Sequence, residues 1–290
     1  MRHFQPTYAP PSPQVLRVGN HLLDLSRPLV MGILNVTPDS FFDGGRYTQT
    51  DALLTQAQQM ITQGAALLDI GAYSSRPQAD NISPAEELKR LLPAIEALRA
   101  TYPEVLLSVD TFRASVAEEA LKAGAAIIND ISGGQADEQM YAVLARYQVP
   151  YVLMHMRGTP QTMQQLTQYE HLLPELVAYF QKKIAILQHK GVSEIIVDPG
   201  FGFAKTIPQN FALLKHLATL HILEKPLLVG ISRKSMIYKT LGHPDASTAL
   251  NGTTALHSLA LLGGAHILRV HDVQAAKEVV TLMESFWEAS

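Results

Sequence analysis

The chain has 290 residues and a net charge of −3, a balance that argues against broad nucleic-acid or membrane-surface binding. Hydrophobic residues make up 47% of it, enough for a large core, yet no apolar run reaches the roughly 20 residues of a membrane helix. It has no cysteine, which excludes disulfides, thiolate metal sites and a cysteine nucleophile, so any metal must be held by oxygen or histidine.

Residues 1–13 contain four prolines and read as a loosely held arm, with the rest of the chain, 14–290, forming one domain. The arm lacks the apolar stretch of a secretory signal, so the expected compartment is the cytoplasm. Two short apolar stretches flank Gly19-Asn20 within 15–25 and predict a β-hairpin that covers the bottom of the fold. A repeating unit follows: a short run rich in Leu, Ile and Val, a polar residue, a loop, then a helical pattern. The runs are 29–34, 66–70, 105–109, 125–128, 150–154, 194–197, 226–229 and 266–270. Near-continuous apolar runs are what strands buried on both faces look like in a parallel sheet.

Apolar stripes mark the helices between them: Leu53, Leu54, Ala57, Met60 and Ile61; Leu88, Leu91, Leu92, Ile95 and Leu98; Leu172, Leu173, Leu176, Val177 and Phe180. Ser83-Pro84-Ala85-Glu86 predicts a capping box with proline in the first turn. Gly64, Gly124, Gly191 and the pair Gly263-Gly264 stand where helices stop, a position that favours a left-handed backbone. Eight strands alternating with helices predict an α/β fold, the (β/α)8 TIM barrel. No Gly-x-Gly-x-x-Gly follows the first strand to support a dinucleotide-binding sheet.

Barrel active sites sit at the C-terminal strand ends. Those ends carry Asn35, Asp69, Asp110, Asn129 with Asp130, His155, Asp198, Ser232 with Arg233 and Lys234, and Arg269 with His271. Any one of them is as easily a helix cap or a loop tie. All eight being polar points to a site. Asp110, Asn129 and Asp198 complement a heterocycle that carries amino and ring N–H donors. Ser232, Arg233, Arg269 and a positive His271 follow the last two strands, where barrels commonly bind phosphate. The glycine-tipped loop from Asn35 to Gly45 and the loop from Gly71 to Pro77 read as covers over that mouth. His171, His189, His216 and His243 read as surface residues, and the methionines flanking His155 as packing.

The chain resembles the dihydropteroate synthases, a pterin-binding enzyme family of folate biosynthesis that sulfonamides target. The resemblance rests on Met31-Gly32-Ile33-Leu34-Asn35-Val36-Thr37-Pro38-Asp39-Ser40-Phe41, on Asp69-Ile70-Gly71 taken together with Ser74-Ser75-Arg76-Pro77 as one phrase, and on Val109-Asp110-Thr111. It continues through Asn129-Asp130-Ile131-Ser132-Gly133-Gly134, Met154-His155-Met156-Arg157-Gly158 and Asp198-Pro199-Gly200-Phe201-Gly202-Phe203. It ends with Gly230-Ile231-Ser232-Arg233-Lys234-Ser235 and Arg269-Val270-His271-Asp272. Eight phrases in order are specific.

The resemblance implies a homodimeric barrel that joins a dihydropterin methyl diphosphate to 4-aminobenzoate and releases diphosphate, with Mg2+. It implies that Asp110, Asn129, Met154, Asp198, Gly230 and Lys234 hold the pterin, and that Asn35 meets Mg2+ and diphosphate. Arg269 and His271 would complete the anion site. Ser75, Arg76, Pro77, Phe203, Lys234 and Ser235 would serve the diphosphate and aminobenzoate side. Asn35, Asp110, Lys234, Arg269 and His271 would carry the catalysis, with no nucleic-acid or membrane partner.

Ala72, Tyr73, Ser75 and Gln78 depart from the family's second-loop pattern, and Ala204 stands where glycine is usual. A silent pterin-binding paralogue would be expected to lose Asn35 or the Ser75-Arg76 pair, and this chain keeps all three. A corrinoid methyl transferase would not need Arg269 with His271. A Schiff-base aldolase would have to rest on Lys234 alone, and a zinc hydrolase would want paired histidines after the first strand.

Overall fold

A computed structural model describes residues 11–12, 14–36, 46–73 and 82–289. The expectations for the arm over 1–10 and at 13, for 37–45 and for 74–81 (Ser75, Arg76 and Pro77 among them) lie outside the described residues. The hairpin is present as β1 (Val15–Val18) and β2 (His21–Asp24), antiparallel, with Gly19 turning the chain at φ +60°.

The eight expected strands are β3 (Leu29–Asn35), β4 (Leu67–Gly71), β5 (Leu106–Asp110), β6 (Ile127–Asp130), β7 (Tyr151–Met154), β8 (Ile195–Asp198), β9 (Leu228–Val229) and β10 (Ile267–Val270). All pair in parallel in the order β8-β7-β6-β5-β4-β3-β10-β9. A parallel bridge between Val197 and Leu227, with Val197 N–H donating to the Pro226 carbonyl at 2.8 Å, brings the two ends together. The sheet is a nearly closed barrel.

Helices connect the strands: α1 (Arg46–Thr62), α2 (Pro84–Thr101), α3 (Ala114–Lys122), α4 (Met140–Tyr147), α5 (Leu172–His189), α6 (Ile207–Lys215), α7 (Ser235–Thr240), α8 (Leu250–Leu262) and α9 (Val273–Glu288). Their apolar stripes pack on the outer faces of the strands, where Leu53, Ala57, Leu91, Ile95, Leu98, Leu176 and Phe180 join Leu34, Leu68, Ile70 and Val109 in one buried cluster. The helix stops behave as expected. Gly64, Gly124, Gly191 and Gly264 all have φ between +84° and +111°, and Gly263 before the last of them closes α8 with an ordinary φ of −78°.

The capping box at Ser83 is only half formed. Ser83 Oγ accepts from Glu86 N–H at 3.2 Å, but the Glu86 carboxylate turns to Arg90 Nε at 2.8 Å, a nearer cation one turn on. A reciprocal box is found instead at Thr206 and Gln209, at the start of α6.

Along each strand successive side chains alternate between the helix side and the barrel interior. The bottom interior layer is apolar: Met31, Leu67, Ile127, Val152, Ile196, Leu228 and Ile267, joined by Leu16 and Leu25 from the hairpin region. The hairpin therefore plugs the N-terminal end of the barrel, as expected. Any site must lie at the other end.

Candidate active site

Two residues above that layer, the same alternation points Asp69, Asn129, Asp198 and Arg269 inward, with Gly230 above Leu228 and Asp110 above buried Ser108. Arg269 is the centre of the group. Its Nε donates to Asp69 Oδ2 at 2.6 Å and its Nη2 to Asp110 Oδ2 at 2.8 Å. Asn129 Nδ2 donates to the same Asp69 Oδ2 at 2.9 Å. Residues 200 positions apart thus meet at one rim.

Asp198 Oδ1 accepts from Gly200 N–H at 2.8 Å, and a side chain at Gly230 would begin 4.0 Å from Asp198 Oδ2, so glycine leaves that oxygen open to a ligand. Lys234 precedes α7, and its ammonium lies 4.3 Å from the centroid of the Phe203 ring. Ser235 is the first residue of that helix. Asn35 ends β3 with its side chain exposed. Gly71 beside it has no Cβ; one placed there would lie 3.8 Å from Asn35 Oδ1 and 3.5 Å from Asp110 Cβ.

Burial sets the protonation behaviour. It pushes the Asp110 carboxyl up to about 7, with Arg269 pulling it back and Asp69 adding to the rise. It raises Asp198 too, opposed by the Gly200 N–H bond and by Lys234. Burial and then Arg269 lower the Lys234 ammonium to about 8. Burial also works against the Arg269 cation, but Asp69 and Asp110 more than offset it and its pKa ends raised.

On the anion side, His271 stands exposed beyond the end of β10. Desolvation, then Arg269 and Arg233, lower its pKa although the residue keeps an exposed face, and its Nδ1 lies 3.1 Å from Ser232 Oγ. Arg233 is not free for an anion. It grips Asp272 through Nε at 2.8 Å and Nη2 at 2.5 Å, and its own φ is +56°. Arg269 and Lys234 are the cations left facing the mouth among the described strand-end residues. An apolar floor completes it: Met154, Met156, Ile131, Met163, Phe203 and Ala204 form one cluster against Phe112, so the methionines pack as expected.

These residues sit in a chain whose residues 31–271 match the family model for pterin binding enzymes. A dihydropteroate synthase of Synechocystis is 46% identical over 278 residues, covering 95% of this chain and 96% of that protein. The chain belongs to the dihydropteroate synthases. Among solved structures, the Yersinia pestis dihydropteroate synthase in a sulfonamide drug complex superimposes with a TM-score of 0.89 at 43% identity, covering 95% of this chain and all of that one. The Xanthomonas albilineans dihydropteroate synthase in complex with 7,8-dihydropteroate gives 0.86 at 36% identity, covering 96% of this chain and all of that one.

Two departures from the dihydropteroate synthase pattern have a structural account. Tyr73 stacks edge-on against Phe112, with centroids 5.3 Å apart, and its hydroxyl accepts from Gln161 Nε2 at 3.3 Å. The ring thereby links the loops after β4, β5 and β7. Ala204 takes a left-handed φ of +48°, a conformation that costs a non-glycine residue about 1–2 kcal/mol. The Tyr169 hydroxyl holds it by donating to the Ala204 carbonyl at 2.9 Å.

Sequence reading missed Lys205. A lysine in a loop suggests a surface cation, yet this one is buried, with Nζ donating to the carbonyls of Gly200 at 3.0 Å and Phe203 at 3.1 Å. Nζ also lies 3.1 Å from His155 Nδ1. Burial lowers its pKa to about 7 and that of His155 to about 3. His155, expected at the rim, is buried behind this loop against the Tyr179 ring at 4.8 Å. Asp69 was visible as a polar strand end, but nothing in the sequence assigned it a partner. Asp130, likewise a strand end, spends both oxygens on Ser132 N–H, Gly134 N–H and the Tyr151 hydroxyl and is structural. His171, His189, His216 and His243 are exposed, as expected.

Proposed function

We propose that the chain condenses (7,8-dihydropterin-6-yl)methyl diphosphate with 4-aminobenzoate, giving 7,8-dihydropteroate and diphosphate. The observation that carries this reading is Arg269, bonded at once to Asp69 and Asp110 at the centre of a rim that also holds Asn129, Asp198 and Lys234. The Xanthomonas relative's 7,8-dihydropteroate complex supports the same chemistry.

Asp110, Asn129 and Asp198 accept from and donate to the pterin edge, with Met154 and Phe203 supplying apolar contact. The C–O bond to diphosphate breaks, positive charge develops on the methylene carbon, and the arylamine nitrogen attacks it and then loses a proton. Asp110 stabilises that cation. Arg269 meets the negative charge growing on the leaving oxygens, a contribution of about 2.7–4 kcal/mol for a well-aimed donor. His271, its pKa lowered in the free protein, gains a proton more readily beside a diphosphate. By the resemblance Ser75, Arg76 and Pro77 would serve the diphosphate and aminobenzoate side, and Ser235 with Lys234 would face the aminobenzoate carboxylate.

The donor set fits Mg2+ as an ion that brings most of its ligands with it. Among the described residues no group of three His, Asp or Glu could cage a cation, while Asn35 offers an exposed amide oxygen. Such an ion keeps several waters and binds substrate phosphates. Asn35 would hold it, and its charge would offset that of the departing diphosphate.

We further propose a homodimer, supported by the exposed side chains of Leu241, Leu250 and Leu259 around α7 and α8, and a cytoplasmic location, supported by the similarity to the Escherichia coli dihydropteroate synthase. The test is direct: the purified protein with Mg2+, dihydropterin diphosphate and 4-aminobenzoate should release diphosphate and form dihydropteroate. Tight pterin binding without turnover would replace this reading with a silent binder.

A further inference from the structure

We infer that Asp69 is a positioning residue that locks the pterin-binding and diphosphate-binding halves of the site into one unit, acting through Arg269 and Asn129. The inference rests on the reaction proposed above. Asp69 is fully buried, so it cannot touch substrate itself. A single oxygen, Oδ2, accepts from Arg269 Nε at 2.6 Å and from Asn129 Nδ2 at 2.9 Å. One group serves the leaving anion and the other the ring, and they share one anchor.

The way Arg269 is held gives the anchor its purpose. Nε and Nη2 share one edge of its guanidinium: Nε is committed to Asp69, below the rim, while Nη2 reaches Asp110 at 2.8 Å. Asp69 lies deeper than Asp110 and is wholly enclosed, whereas the Asp110 side chain keeps 18% of its surface open. An entering diphosphate can therefore compete for Nη2 but not for Nε. Pivoting on the Asp69 bond, Arg269 turns Nη2 from Asp110 to a phosphate oxygen. Asp110 then exchanges the Arg269 cation for the positive charge developing on the methylene carbon, which takes over in holding its carboxylate ionised. An arginine held at only one end would lose that direction, since its long side chain has many rotamers to choose among.

A simple counter-ion role makes a different prediction, because Asp110 already balances the Arg269 charge. The experiment uses the full chain with Mg2+ and both substrates, comparing wild type, Asp69→Asn, Arg269→Lys and the double variant. Asn is isosteric with Asp but neutral. We expect Asp69→Asn to lower kcat/KM by roughly 10- to 100-fold, the range of a charge-assisted hydrogen bond, to raise KM for the pterin, and to weaken inhibition by inorganic diphosphate in step. Because part of the effect is routed through Arg269, the losses in the double variant should be less than multiplicative, as expected for coupled sites. Wild-type kinetics in Asp69→Asn, or losses that multiply in the double variant, would overturn the inference.

Should Asp69→Asn fail to fold, nitrogen-15 NMR of the wild type decides the matter. On saturation with inorganic diphosphate and Mg2+, the Arg269 Nε–H signal should stay in place and remain slow to exchange while the Nη signals move. Displacement or rapid exchange of Nε–H would mean that Arg269 leaves Asp69, and the inference would fall. Wild-type turnover, measured alongside, separates that result from failure of the proposed reaction.

Discussion

Asp110→Asn should slow the protein and stabilise it at the same time. Burial raises the Asp110 carboxyl from an ordinary value near 4 to about 7, even with Arg269 beside it. The folded state thus holds the proton more tightly than the unfolded state. Stability contributed by this group is full below about pH 4 and is lost as pH rises through about 7. At pH 8 the ionised side chain costs the fold up to about 4 kcal/mol, three powers of ten at about 1.36 kcal/mol each.

Asparagine fills the same space without the charge, and Asp69 still holds Arg269. Urea unfolding at pH 8 should therefore show Asp110→Asn to be more stable than wild type by about 1–4 kcal/mol, with the gap closing by pH 4. The rate should move the other way. Losing a carboxylate aimed at the cationic carbon removes about 2.7–4 kcal/mol of transition-state stabilisation, a 100- to 1000-fold drop in kcat. In wild type, kcat/KM should fall tenfold for each pH unit below about 7 as Asp110 takes up its proton, and Asp110→Asn should lack that limb. A variant less stable at pH 8, or a stability gain that does not change with pH, would refute the account of Asp110 as a charge held against its solvation.

The bottom layer of the barrel and the buried Lys205 each carry a further expected outcome. Leu16→Ala, in the hairpin plug at the end of the barrel away from the rim, should cost about 2–4 kcal/mol by urea unfolding and leave kcat/KM unchanged, because only packing in the bottom layer is lost. Lys205 titrates near 7 in the fold and well above that in the unfolded chain, so the unfolded state binds more protons between those values. Wild-type stability should therefore rise with pH from about 7 towards 10 through this lysine, and Lys205→Met should lack that rise when urea midpoints at pH 7 and 9.5 are compared.

The placement of the strands, the helix stops at Gly64, Gly124, Gly191 and Gly264, and the polar strand ends were all legible in the chain. Each depends on a local rule: apolar runs bury in a parallel sheet, glycine tolerates positive φ, and side chains alternate along a strand. Ser83 marks where such rules stop. Its helix start was correctly placed, but Arg90 competed for the Glu86 carboxylate that the capping box required.

Partnership and charge state depended on the closed barrel. Sequence order cannot say that Arg269 spans Asp69 and Asp110, that Arg233 is spent on Asp272, or that Lys205 lies buried against His155. Nor does it say that the His271 pKa is lowered, since that follows from its place next to Arg269 and Arg233. The one-dimensional pattern determined which residues would stand at the strand ends and which way they would point. Tertiary structure decided which of them meet and which keep their charge, because both depend on distances across the barrel and on the water that closure removes.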